Sequence, residues 1–250
     1  MNKSIMIFLH GGGVSSWMWQ EQVEIFKDTY ECFAPDLIGH GTRAKEQIFS
    51  MNESTQEVIS WIKENANGRQ VILIGFSLGA QIAVDVLSRE PDIVDIAVIN
   101  SALVMPLPWL YFMVRPLLPL MYPLLKKDWF IQIQAEKMGL PQQVLIHYAA
   151  ESKHLQKKTL LTLFQENLHY KLPDTFQQAK ARILVTVGEK EKGIMKQSAK
   201  KITNSHLKAT GVVVPGIGHT FTFEKKELFT EMIKSFIDAR ALPVELKEIQ

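Results

Sequence analysis

The sequence contains a single cysteine, Cys32, among 250 residues. No disulfide can form within such a chain, which suits a reducing compartment. The sequence also lacks a cluster of positive charge. Its net charge is +2, and the lysine pairs are scattered along the chain. We therefore expect no nucleic-acid partner. The apolar stretch near the N-terminus is too short for a signal peptide. These features together predict a cytoplasmic protein.

Motifs that hold metals or nucleotides are also missing from the sequence. There is no His-Glu-x-x-His motif and no cluster of cysteines, so we expect no metal site. The triplet Gly11-Gly12-Gly13 is not followed by the later glycine or lysine of a dinucleotide or phosphate-binding motif. The sequence therefore predicts a protein that works without a metal or an organic cofactor.

An uninterrupted long apolar helix is not predicted either. Residues 103–125 are strongly apolar, but they contain five prolines and Arg115. Because proline breaks helices, we expect several short helices with one apolar face rather than a transmembrane span. We interpret residues 103–176 as an inserted helical cap that makes the pocket beneath it apolar. The alternative is an anchor that lies at a membrane interface.

Strand-like apolar runs alternate with amphipathic helical segments along the rest of the chain. This alternation predicts an α/β fold with a mostly parallel sheet of about six strands, flanked by helices. Residues 1–102 and 177–250 form the predicted core domain, with a helix over residues 224–239 as its last element. Ligands of such sheets bind beyond the carboxyl ends of the strands.

The stretch Gly75-Phe76-Ser77-Leu78-Gly79 is the central motif of the sequence. An apolar run precedes it, and residues with helical spacing follow it. A strand that turns sharply into a helix through Gly-x-Ser-x-Gly is typical of a nucleophile elbow. Its two glycines make room for the tight turn, which presents the Ser77 hydroxyl above the edge of the sheet. Ser77 is therefore the candidate nucleophile.

A glycine-rich loop, His10-Gly11-Gly12-Gly13, follows the first predicted strand. Glycines let backbone N–H groups approach a ligand, so the loop is a candidate for half of an oxyanion hole. A plain flexible turn is the alternative. In the next loop, Asp36 and His40 are interpreted as hydrogen-bonding turn residues rather than as catalytic groups.

A serine nucleophile needs a base within hydrogen-bonding distance, and histidine has the suitable pKa. Of the seven histidines, His219 lies in a glycine-rich loop directly after the last predicted strand. His10 is interpreted as a structural residue of its loop. The loop after the preceding strand contains two carboxylates, Glu189 and Glu191.

Together these residues resemble the α/β-hydrolase superfamily over nearly the whole chain. The resemblance implies that Ser77 is the nucleophile and His219 the general base. It also implies that Gly12 and Leu78 donate backbone N–H groups to the oxyanion. The resemblance further implies that Glu191 is the acid of the triad, with Glu189 as its nearest competitor. Most members of the superfamily have aspartate where this sequence has Glu191. The hairpin that usually precedes the first strand has no counterpart, which accounts for the expected six strands.

The function expected from this resemblance is that of a serine hydrolase, similar to a carboxylesterase, acting on a small, largely apolar ester. The same fold also hosts lactonases and carbon–carbon bond hydrolases, and these alternatives stay open. A ligand-sensing protein with little or no turnover is a further alternative from another functional class. No oligomeric state follows from the sequence.

Overall fold

A single seven-stranded sheet organises the computed structural model, which describes residues 3–249. The strands are β1 (Ile5–Leu9), β2 (Glu31–Phe33), β3 (Val71–Phe76), β4 (Ile96–Asn100), β5 (Arg182–Gly188), β6 (Ala209–Val214) and β7 (Lys247–Glu248). The helices are α1 (Gln20–Phe26), α2 (Met51–Asn65), α3 (Leu78–Arg89), α4 (Pro108–Val114), α5 (Leu118–Met121), α6 (Asp128–Lys137), α7 (Leu145–His154), α8 (Lys157–His169), α9 (Gly193–Asn204), α10 (Phe221–Glu224) and α11 (Lys226–Ile237).

The strand order is β2-β1-β3-β4-β5-β6-β7. The first six strands are parallel, and β7 pairs antiparallel with β6. The residues of β1, β3 and β4 are all buried, which is why their sequences are unbroken apolar runs rather than alternating ones. The loops after β1, β3, β5 and β6 therefore emerge at one edge of the sheet, as the sequence predicts.

The sheet differs from the prediction in its last strand. We expected about six strands and a final helix over residues 224–239. The structure instead has the short helix α10, then α11, and then β7, in which Lys247 pairs with Val213. A two-residue strand with charged, exposed side chains has neither the apolar run nor the alternation by which strands are recognised. Its pairing with β6 depends on contacts in the folded chain that the local sequence does not reveal.

Apolar residues cover both faces of the sheet. On one face, side chains of α2, α3 and α9 pack on the strands, among them Ile59, Ile82 and Ile202. On the other face, α1 and α11 contribute large side chains, including Phe26 and Phe229. These two layers make the sheet a rigid support for the loops at its carboxyl edge.

Helices α4 to α8 lie between β4 and β5 in the chain, and we call residues 103–176 the helical insertion. Buried Gln81 of α3 and Asn167 of α8 bond to each other through their side-chain amides, at 2.9 Å. The carboxylate of Glu151 on α7 accepts a hydrogen bond from Ser15 at 2.5 Å and another from the Gly41 N–H. That the insertion behaves as a separate cap stays a prediction. Within residues 3–249, no helix has the length and apolar character needed to cross a membrane.

Candidate active site

Ser77 occupies the sharp turn between β3 and α3. Its backbone has φ 52° and ψ −109°, a conformation that residues other than glycine rarely adopt. The Ser77 N–H donates to the carbonyl of Asn100 at the end of neighbouring β4. The turn therefore stores backbone strain that the sheet and α3 hold in place, and it fixes the position of the Ser77 hydroxyl.

The two glycines of the motif are required by close backbone contacts. A Cβ atom on Gly75 would lie 2.4 Å from the carbonyl oxygen of Gly79. A Cβ atom on Gly79 would lie 2.2 Å from the carbonyl oxygen of Leu9 in β1. Both distances are far below van der Waals contact, and both involve backbone that cannot rotate away. The pattern of glycines in the sequence is thus explained by packing of α3 against the strands.

Ser77, His219 and Glu191 form one hydrogen-bonded chain. Nε2 of His219 lies 3.0 Å from Oγ of Ser77, and Nδ1 lies 2.7 Å from Oε2 of Glu191. Because an ionised carboxylate can only accept, Nδ1 carries the hydrogen and Nε2 is left to accept the proton of Ser77. The structure thus brings Ser77 together with His219, 142 positions later in the sequence, and places Glu191 on the other side of the imidazole.

The carboxylate of Glu191 is buried and held at both oxygens. Its Oε1 atom accepts hydrogen bonds from the Gly188 N–H at 2.9 Å and from the hydroxyl of Ser101 at 2.6 Å. Ser101 follows β4 and has a φ of 59°. Nothing in the sequence indicates that Ser101 contacts the acid, since a serine after a strand is common and belongs to no motif. With Oε1 fixed, Oε2 is directed at His219.

Glu189, the competing acid, points elsewhere. It is exposed, accepts a hydrogen bond from the Gly216 N–H, and pairs with Lys247 of β7 at 3.2 Å. The Gly216 hydrogen bond is the main reason that the pKa of Glu189 lies below its ordinary value. Of the two carboxylates, Glu191 contacts the imidazole of His219.

Gly12 and Leu78 lie side by side at the wall of the cavity that Ser77 enters. A Cβ atom on Gly12 would be 3.7 Å from the Leu78 side chain. Leu78 is the first residue of α3, so its N–H has no acceptor within the helix. For the Gly12 N–H, no backbone acceptor exists within residues 3–249. Both residues thus line the same cavity as Ser77, and the α3 dipole adds positive potential at this end of the helix.

Comparison with known proteins gives the same family as this geometry. The model of the "Alpha/beta hydrolase family" matches residues 6–231. The chain belongs to the alpha/beta hydrolase family. Among solved structures, an esterase from Exiguobacterium antarcticum superposes with a TM-score of 0.80 at 17% identity, covering 95% of this chain and 92% of that one. MenH from S. aureus superposes with a TM-score of 0.77, also at 17% identity, over 96% of this chain and 95% of that one.

Characterised relatives of this alpha/beta hydrolase include enzymes. The 2-(acetamidomethylene)succinate hydrolase of Mesorhizobium japonicum is 24% identical over 94% of this chain and 88% of its own length. Protein ABHD8 of Bos taurus is 33% identical over 94 residues, which are 36% of this chain. That match spans 22% of the length of ABHD8, about a fifth of the relative. Neither relative identifies a substrate for this chain.

Buried histidines support the loops around the site. His10 donates from Nδ1 to the Gly11 carbonyl at 2.8 Å and accepts the Leu37 N–H at Nε2, at 2.9 Å. Burial, aided by nearby His40, lowers the pKa of His10 to about 3. His10 is thus neutral and fully engaged. This agrees with the structural role inferred from its sequence position.

The loop after β2 is held by Asp36. Its carboxylate accepts hydrogen bonds from the N–H of Ser16 and from both the N–H and the hydroxyl of Thr42. Burial alone would raise the pKa of Asp36, but these hydrogen bonds outweigh it and lower the pKa to about 2. Asp36 and His40 therefore act in the loop, as the sequence predicts, and neither bonds to Ser77.

A cavity of about 380 Å³ lies between the sheet edge and the helical insertion. Ser77, Leu78 and Gly12 form its inner wall, and side chains of α5 to α8 form the rest. None of its lining residues carries a charge. Burial raises the pKa of Tyr148, with partial compensation by a hydrogen bond with Ser152, so this phenol is neutral as well. The cavity is suited to a neutral, mostly apolar group.

Within the described part of the chain, residues 3–249, no group of three or more His, Cys, Asp or Glu side chains is close enough to hold a metal ion.

Proposed function

We propose that this protein is a serine carboxylesterase that hydrolyses esters of a neutral, largely apolar acid or alcohol through an acyl-enzyme. The hydrogen-bonded chain from Ser77 through His219 to Glu191, at the wall of an uncharged cavity, is the observation that carries the proposal. The single cysteine supports a cytoplasmic location for it.

In the acylation step, Oγ of Ser77 attacks the ester carbonyl carbon while Nε2 of His219 takes the hydroxyl proton. Glu191 accepts a hydrogen bond from the Nδ1–H group and stabilises the imidazolium that forms. Negative charge develops on the carbonyl oxygen, where the N–H groups of Gly12 and Leu78 are placed to donate. When the tetrahedral intermediate collapses, the alcohol leaves with the proton from Nε2, and the acyl group stays on Ser77.

Deacylation repeats the same steps with water. His219 removes a proton from a water molecule, and the water oxygen attacks the acyl carbon. The same two N–H groups donate to the carbonyl oxygen as it becomes negatively charged. Collapse of the second intermediate releases the carboxylic acid and returns the proton to Ser77. Each group acts twice, so loss of any one of them slows both halves of the reaction.

The uncharged cavity also narrows the substrate class. A substrate with a free carboxylate, such as the succinate derivative named for the Mesorhizobium relative, is normally held by a cationic side chain. The residues lining this cavity include no lysine, arginine or histidine. A neutral acyl or alcohol group avoids burying an unpaired charge, which is why we favour an apolar ester over acidic substrates.

The proposal is tested by labelling the protein with a fluorophosphonate and locating the adduct by mass spectrometry. The expected result is one adduct on Ser77 that is absent from Ser77→Ala and strongly reduced in His219→Ala. p-Nitrophenyl esters of increasing chain length then define the acyl preference. An adduct elsewhere, or ester hydrolysis that survives in Ser77→Ala, would exclude Ser77 as nucleophile. A folded wild-type protein that is neither labelled nor active would instead favour ligand sensing.

A further inference from the structure

An apolar surface lies on the outer side of the helical insertion. Between residues 109 and 124, seven large apolar side chains are exposed, and we call them the apolar stripe: Trp109, Phe112, Met113, Leu117, Leu120, Met121 and Leu124. Trp109 is 60% exposed, Phe112 68% and Leu120 73%. Single exposed apolar residues are common on soluble proteins, but a continuous patch of them usually marks a binding surface.

The apolar stripe follows the spacing of one helix face. Its members, at positions 109, 112–113, 117, 120–121 and 124, are single residues or adjacent pairs that recur every three or four residues. They extend through α4, the turn at residues 115–117, α5 and the turn after it. Between the members of the stripe, Tyr111 and Leu118 are buried. The segment is therefore amphipathic: one side packs inward, and the other presents apolar side chains to the outside. Nothing within residues 3–249 covers that outer side.

The charges of this segment are all of one sign. Residues 96–127 contain no Asp or Glu, and their charged residues are Arg115, Lys126 and Lys127. Arg115 and Lys127 are exposed and form no ion pair within the described chain. Lys126 lies over the ring of Tyr122 and donates to the carbonyl of Leu155. An apolar helix face with exposed basic residues is complementary to an anionic lipid surface.

The charge pattern argues against a second copy of the chain as the occupant. A two-fold contact through the apolar stripe would place the same basic residues of both copies near one another. The adjacent carboxylate, Asp128, is already paired with Lys153. Anionic headgroups would supply that negative charge, and acyl chains would surround Trp109 and Phe112. The lipid surface thus satisfies both the apolar and the basic parts of the patch.

The apolar stripe and the cavity share one wall. Leu118, Met121, Tyr122 and Leu125, all from the same segment, line the cavity that contains Ser77. We propose that α4 and α5 dock on an anionic lipid surface and that the ester substrate enters the cavity from that surface. The proposed docking depends only on the exposed apolar and basic residues of this segment. The proposed substrate entry also depends on the proposed esterase function.

Docking is tested by flotation of the full chain with vesicles of phosphatidylcholine, with or without phosphatidylglycerol. The Ser77→Ala variant is used so that no lipid is hydrolysed during the measurement. We expect it to float with the anionic vesicles. Exchange of Trp109, Phe112 and Leu120 for serine should weaken this binding by more than about tenfold, since the inserted apolar area is lost. Exchange of Arg115 and Lys127 for glutamine should weaken it by roughly fivefold per charge.

A matched control carries serine at Leu207 and Val244, which are exposed apolar residues far outside the stripe in sequence. It should float as well as the parent protein, and circular dichroism should show that all variants are folded. The docking proposal fails if the parent protein does not float. It fails equally if the stripe variant floats like the control, or if the protein is a dimer that the stripe substitutions dissociate. A protein partner on the stripe would leave vesicle binding absent, which also overturns it.

Substrate entry is tested with the active protein and one ester presented in two ways, dissolved in water or embedded in anionic vesicles. The stripe variant should hydrolyse the dissolved ester like the parent protein and lose activity toward the embedded one by about tenfold or more. Equal loss on both would overturn entry from the surface. If the protein hydrolyses neither the dissolved nor the embedded ester, the esterase function is rejected. The flotation result would remain valid in that case.

Discussion

The hydroxyl of Ser101 donates a hydrogen bond to Oε1 of Glu191, with 2.6 Å between the two oxygens. The same carboxylate oxygen accepts the Gly188 N–H. Ends of two neighbouring strands, β4 and β5, thus hold one oxygen of Glu191, and the other oxygen faces His219. Glutamate has one more rotatable bond than aspartate, so this added restraint compensates for the longer side chain.

Loss of the Ser101 hydroxyl should slow catalysis with little effect on binding. A hydrogen bond to a charged group contributes on the order of 1.5–3 kcal/mol, so we expect kcat to fall by about tenfold or more and KM to change little. Two variants separate this effect from backbone strain. Ser101→Ala keeps a Cβ atom at φ 59°, whereas Ser101→Gly relieves it. A normal kcat in both variants would show that the hydroxyl does not position Glu191.

Removal of the negative charge from Glu191 should be far more damaging. Glu191→Gln keeps the size of the side chain, but its amide cannot stabilise the imidazolium, and kcat should fall by about a thousandfold or more. Glu189→Gln is the matched control, since Glu189 is exposed and pairs with Lys247. Steady-state hydrolysis of a p-nitrophenyl ester measures both. Similar losses in the two variants would contradict the assignment of Glu191 as the acid.

A methyl group on Gly79 should destabilise the fold. The added Cβ atom would lie 2.2 Å from the carbonyl oxygen of Leu9, so α3 or β1 must move, and we expect a loss of about 3 kcal/mol or more in the free energy of unfolding. Gly193→Ala is the matched control, because nothing lies within 4 Å of a Cβ atom there. Urea denaturation of both variants provides the comparison. A Gly79→Ala protein as stable as Gly193→Ala would show that the turn is looser than described.

Acid should destabilise the protein through two buried histidines. Burial lowers the pKa of His10 to about 3 and that of His40 to about 4, against 6.5 for an unfolded chain. Below pH 6.5 the unfolded state binds protons that the folded state excludes, so stability is complete above pH 6.5 and is lost as the pH falls. Between pH 7 and pH 5, each histidine should remove about 2 kcal/mol from the free energy of unfolding.

A histidine variant isolates this effect. In His40→Gln, the fall in stability between pH 7 and pH 5 should be smaller by about half, even if the variant is less stable overall. His154 is exposed, and His154→Gln should leave the pH dependence unchanged. Urea denaturation at several pH values gives the slopes. Equal slopes in His40→Gln and the parent protein would show that His40 is protonated in the folded state.

Much of the site could be predicted because its chemistry requires particular residues at particular places. The turn at Ser77 demands glycines at two fixed positions, and the loop of His219 follows a strand at the correct edge of the sheet. These are local constraints, so they are visible in one sequence. The parallel sheet then fixes which loops meet, and the family match confirms the fold that the alternation predicts.

Other features depend on tertiary contacts that leave no local signal. Ser101 is one serine among many until β4 is placed beside β5. The pairing of Lys247 with Val213 cannot be seen in a charged two-residue strand. The five prolines of residues 103–125 predict short helices with one apolar face, but not which apolar side chains of α4 and α5 are buried and which are exposed. The contacts of Ser101 and β7, and the burial of the α4 and α5 side chains, depend on how the helices and strands pack together.

The two outer strands of the sheet have a consequence for solubility. Within the described chain, β2 spans three residues and β7 only two, and each carries an exposed glutamate, Glu31 or Glu248. A long, flat outer strand would offer free backbone groups to strands of other molecules, which is a common route to aggregation. In this sheet, both edge strands, β2 and β7, are short and carry charged side chains. Self-assembly by strand addition is thus disfavoured at either side, even though the interior strands are among the most apolar segments of the protein.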